Sequence, residues 1–132
     1  MSDAASATDR LAKLYTAAWC SQNANSVATF YSPNGSLRIN NGSPAIGRDA
    51  IAQAAQAFMT AFPDMKVVMD CLSLDGDCAT YCWTLIGTNT GPGGTGKSIQ
   101  ISGFEEWRLS DDGLILESHG HFDNDEYDRQ LR

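Results

Sequence analysis

The segment from 101 to 123 constrains this chain more than any other. It reads Ile101-Ser102-Gly103-Phe104-Glu105-Glu106-Trp107-Arg108-Leu109, turns at Ser110-Asp111-Asp112-Gly113, and returns as Leu114-Ile115-Leu116-Glu117-Ser118-His119-Gly120-His121-Phe122-Asp123. Two such runs joined by an Asp-Gly turn form a β-hairpin. Side chains alternate between faces along a strand. Several of the carboxylates and imidazoles can therefore share one face, which suggests a pocket suited to moving protons.

The upstream sequence is helical before it turns to strand. Thr8 or Asp9 is placed to cap a first helix, on which Leu11, Leu14, Tyr15, Ala18 and Trp19 recur at helical steps. A short second helix is expected over about 26–31, stopped by Pro33, with a brief strand over 35–40. A third helix follows Gly47, with Asp49 in its first turn and Ile51, Ala55, Phe58 and Phe62 on one face. Strands are expected near 65–75, 77–89, 98–109 and 114–122, and a last helix near 124–130. Helices followed by hairpins define an α+β domain. At 132 residues, with no repeat and no linker, the chain reads as one domain, 1–132. A curved sheet wrapped around the long first helix would enclose a cone-shaped hollow.

The net charge of −7 argues against a nucleic-acid partner, because an acidic surface repels phosphate. No basic cluster suits a membrane surface, and no apolar stretch approaches a membrane span. The opening residues do not resemble a signal peptide, so a cytoplasmic location is expected. The Asn-Gly-Ser triplets at Asn34 and Asn41 then read as turns rather than glycosylation sites. Cys20, Cys71, Cys78 and Cys82 form no Cys-x-x-Cys pair and lie far from both histidines. They are expected to be small buried hydrophobes, with no metal and no cofactor.

Several segments together resemble a known family. These are Trp83-Thr84-Leu85-Ile86-Gly87-Thr88-Asn89-Thr90-Gly91, Thr95-Gly96-Lys97, Asp112-Gly113-Leu114-Ile115, His121-Phe122-Asp123 and Arg129-Gln130-Leu131. With the element order, they make the chain similar to the SnoaL-like polyketide cyclase branch of the nuclear-transport-factor-2-like superfamily, which includes ketosteroid isomerases. The resemblance implies a cone-shaped domain, often paired through the open face of its sheet, hence a homodimer. It does not fix the reaction, because this fold hosts many functions. It implies an acid/base role for Asp123, at the end of the last long strand. Glu105 falls where isomerases place an oxyanion donor, and Tyr15 where they place a helical tyrosine. The isomerase base precedes a Pro-x-Gly; here Ser32 stands before Pro33-Asn34-Gly35, which argues against steroid-type isomerisation.

Glu117, His119, His121 and Asp123 form one alternating set, and Leu116, Ser118, Gly120 and Phe122 the other. If the first set faces the hollow, Asp123, His121 and Glu105 supply the acid/base chemistry. Tyr15, Trp19, Phe58, Phe62 and Trp83 would line the walls and bind the substrate, raising a carboxylate pKa by desolvation. Each has a structural alternative. Asp123 and Glu126 have the spacing of a capping box. Glu105 could exchange faces with Glu106, although Ile101, Trp107 and Leu109 share its alternation. His121 could be a satisfied structural histidine, and the aromatics could be core. Gly91-Pro92-Gly93-Gly94-Thr95-Gly96-Lys97-Ser98 spells the phosphate-loop pattern, but the residues after Lys97 alternate as a strand where a helix is needed, so no nucleotide is expected. The expected partner is a small hydrophobic molecule with a carbonyl or similar handle, either transformed or simply bound.

Overall fold

A computed structural model describes residues 3–132. The helices are α1 (Asp3–Cys20), α2 (Ala24–Ala28), α3 (Arg48–Ala61) and α4 (Asn124–Leu131). The strands are β1 (Tyr31–Ile39), β2 (Ala45–Ile46), β3 (Lys66–Asp75), β4 (Cys78–Thr88), β5 (Ser98–Leu109) and β6 (Ile115–Phe122). All six strands join one sheet in the order β2-β1-β6-β5-β4-β3. Every pairing is antiparallel except β1 with β6. This is the expected α+β arrangement.

The differences from expectation have local causes. α1 begins at Asp3, upstream of the expected cap, and Thr8 is buried within the helix. The intervening Ala4-Ala5-Ser6-Ala7 is rich in alanine, the best helix former. Leu14 points outward at 52% exposure, leaving Leu11, Ala12, Tyr15 and Ala18 as the core-facing residues. Pro33 does not stop α2, which ends at Ala28. It sits in β1, where the β1–β6 register shifts between Tyr31 and Ser36. An irregularity of this kind tolerates the missing N–H of proline.

The cysteines also differ from expectation. Cys20 and Cys78 are exposed, and Cys71 and Cys82 are joined as a disulfide across β3–β4, with Cα atoms 4.9 Å apart. Both bonded residues alternate to the outer face of the sheet, away from the core they were expected to fill.

The core lies between the inner face of the sheet and the helices. Tyr15, Tyr31, Ile51, Met59, Phe62, Tyr81, Trp107 and Ile115 are almost wholly buried there. Tyr15 is its centre, with edge-on contacts to Trp19, Phe30, Tyr81 and Trp107. The glycine-rich loop folds back onto the end of α3. Gly91 N–H donates to the Ala61 carbonyl, and a Cβ at Gly91 would fall 1.9 Å from the Thr60 carbonyl oxygen. Lys97 leads directly into β5, so the helix that a phosphate loop requires does not follow.

Candidate functional site

Strand register determines which side chains reach the hollow. On β5, Ile99, Ile101, Glu105 and Trp107 are buried, whereas Gln100, Phe104, Glu106 and Arg108 are exposed. Glu105 therefore faces inward and Glu106 outward. Across the β5–β6 ladder, Glu105 pairs with Gly120, Trp107 with Ser118 and Gly103 with Phe122. The inward set on β6 is therefore Ser118, Gly120 and Phe122. This corrects the arrangement in which Glu117, His119, His121 and Asp123 would face the hollow. Because alternation has period two, an error of one position moves the whole set to the other face.

Glu105 lies at the base of an apolar hollow formed with Trp19, Phe58, Trp83, Phe122 and Tyr127. The hollow encloses a cavity of about 60 Å³. Gly120, directly across from Glu105, adds no side chain and leaves the carboxyl uncovered on that side. Glu105 Oε1 accepts three hydrogen bonds, from Tyr15 Oη at 2.9 Å, Trp107 Nε1 at 2.8 Å and Ser118 Oγ at 2.8 Å. Tyr15 also lies 2.8 Å from Tyr31 Oη. A phenol has one proton. Tyr15 gives its proton to Glu105, so Tyr31 must donate to Tyr15. No hydrogen-bond partner of Oε2 is found among the described residues.

Burial raises the Glu105 pKa, and the three donors from Trp107, Ser118 and Tyr15 offset part of that rise. Burial likewise raises Tyr15 and Tyr31 well above the ordinary phenol value, with the Glu105 charge adding to it. Both tyrosines therefore stay protonated and act as donors. Trp83 Nε1, in the hollow wall, is buried without an acceptor among the described residues.

The other expected residues fall in several places. Trp19, Phe58 and Trp83 line the hollow; Tyr15 lies one layer beneath it, against Glu105. Phe62 is not in the lining. It is fully buried, with its ring edge-on to Tyr127 and close to Gly87. His121 lies on the outer face and bonds Glu106 Oε1 at 2.8 Å. Asp123 is exposed and caps α4, its Oδ1 accepting from Glu126 N–H at 3.1 Å. Trp107 and Ser118 hold Glu105 directly, and Tyr31 acts through Tyr15. Only Trp107 carries a sequence signal, the alternation it shares with Glu105 on β5; Ser118 and Tyr31 reach the cluster through strand pairing.

The cap gives a direct expectation. Asp123→Ala should cost about 1 kcal/mol. Hydrogen exchange at Glu126 and Tyr127 should rise, with β5 unaffected. Unchanged exchange in α4 would show that the cap contributes little there.

A six-stranded sheet packed by helices on one face, with a buried carboxyl facing an apolar hollow, has the ketosteroid-isomerase-like, or nuclear-transport-factor-2-like, fold. The chain matches the SnoaL-like polyketide cyclase family over residues 9–131, and it belongs to that family. Solved structures agree on the fold. A SnoaL-like protein from a Jannaschia species superposes with a TM-score of 0.87 at 16% identity, covering 99% of this chain and 95% of its own. A protein of ketosteroid-isomerase-like fold from Catenulispora acidiphila, solved with trimethylamine, gives 0.81 at 16% identity, covering 92% and 91%. A phenazine biosynthesis-related protein from Pseudomonas aeruginosa gives 0.75 at 18% identity, covering 99% and 86%. A comparison with curated proteins finds no match. No described helix is long and apolar enough to cross a membrane.

Proposed function

We propose that the protein is an acid/base enzyme acting on a small hydrophobic carbonyl compound, with Glu105 as the proton-exchanging group. One observation carries this reading: a buried carboxyl with one oxygen fixed by three donors and the other left to the ligand, at the base of an apolar hollow. A carboxylate in that setting has a raised pKa, closer to working pH, where a general base is most effective. Oε2 would take the proton from the carbon next to the carbonyl. The electron pair would move onto the carbonyl oxygen, and the same proton would return to oxygen or carbon. Negative charge would pass from the carboxylate to the ligand oxygen, while the three donors on Oε1 hold the carboxyl in one orientation with Oε2 toward the ligand. Trp83 Nε1 lacks an acceptor, and a ligand oxygen could supply one.

In this reading Asp123 and His121 act from outside the hollow, Asp123 by anchoring α4, whose Tyr127 forms part of the wall. The trimethylamine in the Catenulispora structure supports a small occupant for a hollow of this fold. A homodimer is part of the same proposal.

The test is deuterium exchange. A panel of aromatic and alicyclic ketones is incubated with protein in deuterated water, and loss of the α-proton signal is followed by NMR. Wild type should accelerate exchange for at least one ketone. Glu105→Gln should slow it by about 10²–10⁴-fold with ligand affinity nearly unchanged. Ketone binding without any exchange would sink the catalytic reading and leave a binding protein.

A further inference from the structure

The sheet face opposite the hollow carries a second cluster. His119 and His121 are two residues apart on β6, so both project outward. Glu106 is the register partner of His119 on β5 and also projects outward. Directly paired side chains on antiparallel strands start about 5 Å apart. One potential ligand atom from each of the three residues lies within 4.8 Å of the other two. The rings of His119 and His121 are 4.0 Å apart between centroids, and His121 Nε2 is 2.8 Å from Glu106 Oε1.

We propose that Glu106, His119 and His121 form a binding site for a divalent first-row transition ion such as Zn²⁺. Two imidazoles and a carboxylate suit such ions.

The surroundings orient these donors. His119 Nε2 is 2.9 Å from the Asn40 carbonyl oxygen. A carbonyl only accepts, so Nε2 carries the proton and Nδ1 keeps its lone pair. Histidines that bind metal commonly have their other nitrogen held in this way. The Asn40 carbonyl is itself fixed: Asn40 N–H donates to the Gly120 carbonyl at 2.8 Å, and its Oδ1 accepts from Phe122 N–H at 2.9 Å. Asn40 has a φ of 50°, a left-handed conformation that asparagine tolerates better than most residues. On the other side, Phe104 stacks on the His121 ring at 4.7 Å.

The ion would take the place of the hydrogen between His121 Nε2 and Glu106 Oε1; His121 then binds through Nε2 as the neutral tautomer with its hydrogen on Nδ1, and any surplus proton leaves to solvent. Ligands of a tetrahedral ion stand about 3.3 Å apart, a spacing set by metal–ligand bonds of about 2.0–2.1 Å, so the 2.8 Å His121–Glu106 pair must open by about half an ångström and the wider separations, at most 4.8 Å, must close by up to about 1.5 Å. Glu106 is 60% exposed and has room to move. Arg38, the β1 register partner of His119, has its Nε engaged by the Gly42 carbonyl at 3.1 Å. Three protein ligands would leave at least one position for water or an exchangeable small molecule.

The test uses tag-free protein stripped with chelator, titrated with Zn²⁺ by calorimetry and with Co²⁺ by visible absorption. One ion should bind per chain with micromolar affinity. His119→Ala and His121→Ala should each weaken binding by about tenfold or more, and Glu106→Gln by less, with metal-free melting unchanged. A Cys20→Ser/Cys78→Ser protein should bind as wild type does. The proposal is overturned by no saturable binding below millimolar ion, by binding that survives both histidine variants, or by binding lost with the two thiols.

Discussion

Glu105→Ala is expected to lower stability by about 3–5 kcal/mol, adding a small cavity to three donors left without their acceptor. Tyr15, Trp107 and Ser118 all give their hydrogen to the same oxygen, and all three are at most 3% exposed. An orphaned buried donor costs about 1–3 kcal/mol; Tyr15 and Ser118 can turn toward the Tyr31 hydroxyl, but the Trp107 N–H cannot. For a domain of this size the loss corresponds to a melting temperature lower by roughly 10–20 °C. Glu105→Gln keeps an acceptor and the shape, so it should melt close to wild type.

The comparison with Gln has a pH signature. The folded-state pKa of Glu105 is raised above the unfolded value. The protonated form is therefore favoured by folding. Its contribution is fully present below the unfolded pKa, about 4.3, and is lost as pH rises through the folded pKa. Wild type should lose stability relative to Glu105→Gln across that interval. Melting curves that stay parallel from pH 4 to 8 would contradict the raised pKa. An Ala variant melting within about 3 °C of wild type would contradict the structural role of the cluster.

The second large effect is expected at Gly103. A Cβ there would lie 2.3 Å from the His121 carbonyl oxygen, 2.6 Å from Trp83 Cζ2 and 3.0 Å from Phe122 Cβ. The first neighbour is backbone in the β5–β6 ladder and cannot move without breaking pairing. The second is the indole that walls the hollow. Gly103→Ala should therefore cost about 2–3 kcal/mol, in the range of overpacked cores. It should also displace Trp83, seen as a shift in tryptophan emission that is absent from a Trp83→Phe background. Unchanged melting and emission would mean that the strands part more easily here than the close approach implies.

What the sequence revealed and what it hid follow from the physics of alternation. Glu105 could be placed inward because Ile101 and Trp107 share its parity and leave little choice. β6 was harder. One alternating set, Leu116, Ser118, Gly120 and Phe122, mixes apolar and polar residues, whereas the set holding the imidazoles is wholly polar and carries the more chemical side chains. Only the pairing of Glu105 with Gly120 settles the parity, and pairing is not written in either strand alone. The Asp123–Glu126 spacing did announce a helix cap, and the structure has one. The partners of Glu105 come from α1, β5 and β6, which no local pattern connects. The disulfide was missed for the same reason, since Cys71 and Cys82 meet only through the β3–β4 register.

The one parallel pairing in the sheet bears on how the molecule assembles. β1 lies beside β6, although about eighty residues separate them in the chain. The hairpins of β3 to β6 can zip up from neighbours, but β1 and the short β2 beside it have no place to dock until β6 exists. On a ribosome, α1, α2 and α3 would emerge with their apolar faces uncovered and wait for most of the remaining synthesis. The final join also delivers Tyr31 to Tyr15. Formation of that tyrosine pair would thus report the last step of folding, and a stall before residue 115 would leave β1 without its partner strand and available to chaperones.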